Sequence, residues 1–169
     1  MPIVYGAALV TAAVGALADL RTHRIPNRLT LWSGAAGLIC GLILDGPGGF
    51  LRGLGGLVFS CLYVVFWLLG VLKAGDIKLY MALGAWTGWE FSLYTMVGSF
   101  LAGGGAALLI VIRRKDGRAA VRRLWVYIEN LILTGKFYRV CPGEEQGYFS
   151  FGACMFVGAL AAFWKLSGR

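Results

Sequence analysis

Long apolar runs separated by short polar connections make up most of this chain. A helix that crosses a bilayer needs about 20 residues. Several of the runs are shorter than this, and the fourth and fifth meet at Trp89 and Glu90, which requires a tight turn. The pattern predicts an all-α, polytopic membrane protein with about six transmembrane helices. The six apolar segments lie at about 3–18, 29–44, 50–72, 77–89, 91–112 and 149–166.

The composition agrees with this interpretation. Of 169 residues, 59% are hydrophobic and only 14% are charged, whereas a soluble domain has about 25% charged residues. No polar segment is long enough to fold separately, so we expect residues 1–169 to form a single integral-membrane domain. The net charge of +8 is typical of basic cytoplasmic loops, and we favour that explanation over nucleic-acid binding.

The positions of Lys and Arg predict the orientation of the spans. Cytoplasmic loops carry an excess of these residues. With the N-terminus outside, thirteen of the sixteen fall in cytoplasmic loops. We therefore expect both termini on the extracytoplasmic side, with the first segment retained as a span and not cleaved as a signal. Three cytoplasmic cations lie in 21–28, two in 73–78 and eight in 113–139, while Arg52, Lys165 and Arg169 stay outside.

The only long polar connection, 113–148, carries a helical pattern of apolar residues. This spacing predicts one amphipathic interfacial helix in the last cytoplasmic loop. An amphipathic helix that packs on the bundle explains the pattern equally well, and both alternatives stay open. The apolar positions are Val121, Leu124, Trp125, Ile128, Leu131 and Ile132.

Cysteine and histidine exclude several kinds of chemistry. The four cysteines form no CxxC motif, and three of them lie in apolar runs, where cysteine usually acts as a small buried hydrophobe. His23 is the only histidine, which excludes a metal cluster built from several histidines. We expect no metal site and no cofactor.

Two aspartates stand apart because they adjoin predicted spans. Asp19 follows the first apolar segment, and Asp76 precedes the fourth. Taken singly, each is explained as readily by a solvated charge at a helix end. Taken together, they fall on the same side of the membrane at matching depth, and an ionisable group at membrane depth is a functional hypothesis. The other acidic residues lie in predicted loops: Asp45, Glu90, Asp116, Glu129, Glu144 and Glu145.

A close pair of carboxylates can hydrolyse a peptide bond without a metal. Two neighbouring carboxylates cannot both ionise easily, so they share a proton. One can then act as general base on a water molecule while the other protonates the scissile carbonyl. Asp19 and Asp76 are accordingly the predicted catalytic residues.

The neighbours of these aspartates suit such a site. We expect Gly75 to permit unusual backbone angles and close approach of a substrate. Pro26 restrains Ile25 to extended geometry, and Asn27 is a predicted N-cap for the second span. Lys78 is expected to reach the headgroups or to tune the pair of carboxylates.

Two motifs resemble those of the type IV prepilin peptidase family, the bacterial GxGD membrane aspartic proteases. Asp19 followed by IPN at 25–27 resembles the first catalytic motif, and AGDIKL at 74–79 resembles the GxGDxK motif. A weaker match includes Phe151 and Gly152 in the run SFGA, where the family often has Pro-Phe-Gly-Pro. The chain departs from the family at Lys73, which replaces the first glycine of GxGD, and at Ser150 and Ala153, which replace prolines.

The resemblance implies an aspartic endopeptidase of the cytoplasmic membrane whose active site faces the cytoplasm. Asp19 and Asp76 would be the catalytic dyad, and the substrates would be basic leader peptides of type IV pilin-like precursors. The chain looks like the short Tad/Flp-type form without the N-methylation segment. Implied partners are prepilin-type precursors and membrane lipid. The supporting motif residues would be Ile25, Pro26, Asn27, Gly75, Lys78, Phe151 and Gly152.

One feature of this interpretation is electrostatically unfavourable, and other functions stay open. A basic leader prefers an acidic surface, yet the predicted cytoplasmic face is basic, so Glu144 and Glu145 are the candidate residues for binding the leader. The alternatives are a GxGD-type intramembrane protease with another substrate, a proton- or cation-conducting protein, and a structural subunit of a secretion machine.

Overall fold

A computed structural model describes residues 2–114, Arg122, Trp125 and 150–167, and no strand occurs among them. The all-α prediction is confirmed for this part of the chain. Most of the predicted interfacial helix in 113–148 lies outside the described residues. Within the described residues, six helices are numbered in chain order: α1 Pro2–Thr22, α2 Asn27–Cys61, α3 Val64–Leu68, α4 Ala74–Thr87, α5 Trp89–Arg114 and α6 Phe151–Ser167.

Three helical stretches in the described part are long and apolar enough to cross a membrane: Ile3–Thr22, Asn27–Leu68 and Trp89–Leu109. The apolar helix Phe151–Leu166 is shorter, and α4 has only 14 residues. The number of six spans therefore stays a prediction, because two of the apolar helices are shorter than a bilayer requires.

The outside of the bundle is apolar. Ile43, Leu101 and Trp164 have exposed fractions of 74%, 73% and 84%. Soluble monomers rarely expose apolar side chains over a large continuous area. A surface of this kind suits contact with lipid, in agreement with the apolar helices.

Helix α2 doubles back on itself at Gly46. Its φ of 66° and ψ of −154° are not helical, and a proline follows it. A methyl group on Gly41 would lie 3.0 Å from the carbonyl oxygen of Gly49, although these residues would be about 12 Å apart along a straight helix. The two arms, 27–45 and 47–61, therefore form a hairpin. The first arm corresponds to the second predicted apolar segment, and the second arm together with α3 corresponds to the third, which is interrupted after Cys61.

Helix α4 lies at the centre of the bundle and both arms of α2 pack against it. A methyl group on Gly37 would lie 2.9 Å from the backbone nitrogen of Trp86, and one on Gly53 would lie 2.5 Å from the carbonyl oxygen of Ala85. Small residues of this kind let helix backbones approach closely. Helix α4 is thereby covered along most of its length, and its side chains Leu79, Tyr80 and Leu83 are fully buried.

A tight turn joins α4 to α5, as the sequence predicted, but it lies slightly earlier than expected. Gly88 is the single residue between the two helices and has a φ of 96°. This region of backbone space favours glycine because other residues are strained there. The prediction placed the turn at Trp89 and Glu90, which instead begin α5.

Helices α1 and α6 run antiparallel, side by side. Ala8 of α1 packs in one buried cluster with Ala159 and Ala162 of α6, whereas Asp19 near the end of α1 contacts Gly152 at the start of α6. The C-terminal end of α1 therefore meets the N-terminal end of α6. This contact, together with the start of α4, builds the candidate site.

Candidate active site

The two predicted catalytic aspartates line the same cavity. Its volume is about 390 Å³, and it is formed by the end of α1, the connector 23–26, Asn27 and the start of α4. Asp19 and Asp76 are each only 2% exposed. The structure therefore brings together two buried carboxylates that lie far apart in the sequence, as the chemistry of the pair requires.

Asp19 is held by the last helix of the bundle. Its Oδ2 accepts a hydrogen bond of 2.6 Å from the Ser150 hydroxyl and one of 2.9 Å from the backbone N–H of Gly152. The first N–H groups of a helix have no partner within the helix and attract negative charge. Asp19 thus supplies, from α1, the oxygen that an N-cap side chain usually provides.

Gly152 is the residue that lets α6 come so close to Asp19. A methyl group in its place would lie 2.8 Å from the Cβ and 3.0 Å from Oδ2 of Asp19, and 3.2 Å from the Cα of Ala16. The neighbouring Phe151 packs its ring 5.9 Å from that of Phe100. Gly152 therefore lies next to the first aspartate and leaves no space for a side chain, whereas Phe151 contacts α5.

Asp76 is held by the cap of its own helix. Its Oδ2 accepts a hydrogen bond of 3.0 Å from the backbone N–H of Lys73, and its own N–H donates to the Lys73 carbonyl at 3.0 Å. These reciprocal bonds resemble a capping box. The backbone of Lys73 is extended, with φ of −85° and ψ of 154°. Because any residue can adopt these angles, a lysine in place of the family's glycine causes no backbone strain.

Burial of Asp76 changes its acidity. Asp76 lies just before the apolar stretch at 77–89. Burial of its carboxyl group raises the pKa of Asp76 from 3.8 to about 6. The hydrogen bond from the Lys73 backbone opposes this increase, the negative charge of Asp19 adds to it, and the positive charge of Lys73 opposes it again. Because its pKa is raised, Asp76 holds its proton to a higher pH than an ordinary aspartate does.

A tight connector brings α1 close to α2 beside the cavity. His23 has a φ of 52° and its N–H donates to the Asp19 carbonyl at 2.9 Å, which ends α1. The Thr22 hydroxyl donates to the Arg24 carbonyl at 3.0 Å. A positive φ at a residue other than glycine is uncommon. The residues that adopt it are often found at functional sites. The connector fixes the direction in which the chain leaves Asp19.

The prediction of unusual backbone angles at Gly75 is wrong. Gly75 lies in the first turn of α4, and the positive-φ glycines of the described chain are Gly46, Gly70 and Gly88. A methyl group at Gly75 would lie 3.4 Å from the Cβ of Ile25, which is ordinary van der Waals contact. The cap at Lys73 already starts the helix, so no special conformation is needed. Close approach of a substrate at Gly75 stays a prediction.

The prediction that Asn27 caps the second span is also wrong. Pro26 occupies the cap position with extended angles, φ −62° and ψ 130°, and makes no side-chain cap bond. Because the proline ring fixes φ, Asn27 becomes the first helical residue. Its Oδ1 instead accepts a hydrogen bond of 2.9 Å from the Lys78 ammonium group. Lys78 therefore joins α4 to the start of α2 at the exposed rim of the cavity.

Sequence reasoning missed one residue that contacts the pair. Ser150 was noted only as a departure from the family's proline, yet its hydroxyl bonds to Asp19. A polar residue at the start of a predicted helix is a recognisable signal, but its partner in α1 is not visible in the sequence. The predicted leader-binding residues Glu144 and Glu145 lie outside the described residues. Within the described part of the chain, no group of three or more His, Cys, Asp or Glu side chains could hold a metal ion.

The fold and the site define a helical protein of membrane type with a buried pair of carboxylates. A profile of the type IV leader peptidase family matches residues 6–108, and the chain belongs to this family. The family resemblance inferred from the motifs is thereby confirmed. The matched region contains Asp19 and Asp76 but ends before α6.

The chain is also similar to two curated relatives from Burkholderia pseudomallei, strains 1026b and K96243, each named "Prepilin leader peptidase/N-methyltransferase". The identity is 29% over 118 residues, which cover 64% of this chain. The match spans only 37% of the length of these relatives. No solved structure matches the chain significantly.

Proposed function

We propose that this protein is a prepilin leader peptidase, an aspartic endopeptidase that cleaves basic leaders of pilin-like precursors at the cytoplasmic face of the cell membrane. The observation that carries the proposal is the pair Asp19 and Asp76, each 2% exposed and lining one cavity. Buried ionisable pairs in a cleft are typical of catalytic sites. Family membership and the names of the two relatives support the substrate class.

The different surroundings of the two aspartates give them different roles. Two donors stabilise the negative charge of Asp19, so Asp19 is the general base that takes a proton from the attacking water. Asp76 has its pKa raised to about 6, so it is the general acid that protonates the scissile carbonyl oxygen. The resulting tetrahedral intermediate then collapses. Asp19 gives its proton to the leaving amine, and Asp76 takes back a proton from a hydroxyl of the intermediate.

The charges around the cavity support a cytoplasmic site. Arg24, Lys73 and Lys78 line the cavity, whereas the turn of the α2 hairpin carries a neutralised pair, Asp45 and Arg52, at 2.6 Å. An excess of positive charge marks the cytoplasmic end of a membrane protein. This distribution favours the predicted orientation, with both termini on the other side.

Co-expression with a pilin-type precursor tests the proposal. The wild-type protein is expected to shorten the precursor, and Asp19→Asn and Asp76→Asn are each expected to abolish shortening, because either change removes one of the two proton-transfer groups. Asp45→Asn is the matched control, since Asp45 is an exposed carboxylate paired with Arg52 away from the cavity. Shortening that survives either dyad substitution would refute the assignment.

Proton conduction is the second candidate, and one observation favours it. The hydroxyls of Ser60 and Ser92 are buried and 2.7 Å apart, and the Ser92 hydroxyl donates to that of Tyr63 at 3.3 Å. Connected hydroxyls at membrane depth can carry protons. This function predicts proton flux in proteoliposomes that is lost in Asp19→Asn and Asp76→Asn, with no precursor cleaved. Cleavage without flux supports the peptidase.

A further inference from the structure

The contact between Ser150 and Asp19 joins two separate parts of the site. Ser150 directly precedes α6, and Asp19 lies in the last turn of α1. The hydrogen bond between them is 2.6 Å long, and the Gly152 N–H bond of 2.9 Å ends on the same oxygen, Oδ2. Charge-assisted hydrogen bonds of this length are among the stronger ones in proteins. Both bonds leave Oδ1 as the oxygen that can face a reacting water.

The direction of the Ser150 hydroxyl separates it from an ordinary helix cap. A serine before a helix usually accepts a hydrogen bond from an N–H in the first turn of its own helix. Here the Gly152 N–H is taken by Asp19, and the Ser150 hydroxyl donates to that same carboxylate. The serine therefore acts on the carboxylate and not on the helix end.

We infer that Ser150 is a positioning residue for the dyad: its hydroxyl fixes Oδ2 of Asp19 and orients this carboxylate, so that Oδ1 accepts the proton of the attacking water. The inference rests on the proposed function and adds to it a residue that lies beyond the family-matched region, which ends at 108. Ser150 touches neither substrate nor water in this role and acts only through Asp19.

The charged groups around Asp19 determine what the loss of Ser150 would do. The connector contributes His23 and Arg24 to the cavity, and α4 contributes Lys73, Lys78 and the carboxyl group of Asp76. Along α6 the only charged residue is Lys165, near the far end. Without the serine, Asp19 keeps the Gly152 N–H but loses its other donor, while the like charge of Asp76 remains. The dyad should then take up a second proton at a higher pH.

The test uses the full-length protein, purified in detergent, with a synthetic peptide that contains a precursor's cleavage site. Ser150→Ala is expected to lower kcat about tenfold with little change in KM, and to move the acidic limb of the pH profile up by about one unit, because a hydrogen bond to a charged group is worth this much. Ser150→Thr keeps the hydroxyl and is expected to restore both quantities largely.

The control is Ser33→Ala, which removes a hydroxyl bonded to Thr11 and to the indole of Trp86, none of which lines the cavity. Its pH profile is expected to match the wild type. If Ser150→Ala does not accumulate as folded protein, Ser150→Cys provides the same measurement, since a thiol is only a weak donor. Its acidic limb should also move upward.

Four results separate failure of this inference from failure of the proposed function. A Ser150→Ala protein with wild-type kcat and pH profile overturns the role of Ser150, and so does a Thr variant that shifts as far as the Ala variant. If the wild type does not cleave, or if Asp19→Asn still cleaves, the peptidase proposal itself is overturned, whatever Ser150 does.

Discussion

Asp19 and Asp76 enter the same cavity, but each is held in a different way. Asp19 lies at the C-terminal end of α1 and accepts its two hydrogen bonds from residues 131 and 133 positions away in the chain. Asp76 lies in the first turn of α4 and accepts one from Lys73, only three positions away. One carboxylate depends on tertiary packing and the other on a local helix cap.

This difference gives two identical side chains different surroundings, as the proposed division of acid and base roles requires. Donors from another helix stabilise the charge on Asp19, whereas burial raises the pKa of Asp76 to about 6. Pairs of titratable groups whose environments differ in this way are the usual means of dividing acid and base roles. Substitutions can test each side of the pair separately.

The largest expected effect comes from Gly152, beside Asp19, and Gly75, beside Asp76, provides the comparison. Gly152→Ala places a methyl group 2.8 Å from the Cβ of Asp19, so the carboxylate or α6 must move, and activity should fall about a hundredfold or more. Gly75→Ala meets only ordinary contact with Ile25 at 3.4 Å and should retain most activity. Initial rates on a precursor peptide measure both. Equal losses in the two variants would contradict the distinction between Asp19, which is held by tertiary contacts, and Asp76, which is held by its local helix cap.

The next effect concerns stability and its dependence on pH. Since the pKa of Asp76 is raised from 3.8 to about 6, its ionisation costs more in the folded protein than in the unfolded chain. This cost is complete above pH 6 and disappears as the pH falls toward 3.8. Asp76→Asn should therefore stabilise the protein at pH 7.5 by roughly 3 kcal/mol, and the gain should shrink between pH 6 and 4.

Thermal unfolding in detergent at several pH values measures this gain. Asp19→Asn is the comparison, and we expect no such stabilisation because its carboxylate has donors from Ser150 and Gly152. A stabilising effect of equal size and pH dependence in both variants would mean that the two carboxylates share one environment.

A smaller effect distinguishes two substitutions of Asp19. In Asp19→Asn the amide oxygen can still accept the Gly152 N–H, whereas Asp19→Ala leaves that helix end without a cap. The alanine variant should be less stable than the asparagine variant by about 1 kcal/mol. The two melting temperatures, measured under the same conditions, provide the test, and the reverse order would contradict the capping role.

The smallest effect is expected at the rim of the cavity. Asn27→Ala breaks the exposed hydrogen bond to Lys78, and should change stability by less than about 0.5 kcal/mol. Activity should remain near that of the wild type, because neither side chain holds a dyad carboxylate in the described structure. A double-mutant cycle with Lys78→Met measures the interaction energy between the two side chains. A large value would contradict the small effect expected of an exposed hydrogen bond.

Several features could be predicted because they depend on residues close together in the chain. The apolar runs predicted the helices, and Gly46, followed by a proline, separates the two arms of α2 where the sequence predicted a break between its second and third segments. Local rules failed where two of them competed. Pro26 took the cap position and moved Asn27 into the helix, and the cap at Lys73 made special angles at Gly75 unnecessary.

The sequence alone determined the class of fold, the family and the two candidate carboxylates, because apolar periodicity and short motifs are written in consecutive residues. Only the tertiary structure decided which groups surround each carboxylate. Ser150 and Gly152 reach Asp19 because α1 and α6 pack antiparallel, and that packing depends on small residues distributed over both helices. A contact between residues 131 positions apart has no local signal, since it results from the fit of whole helices.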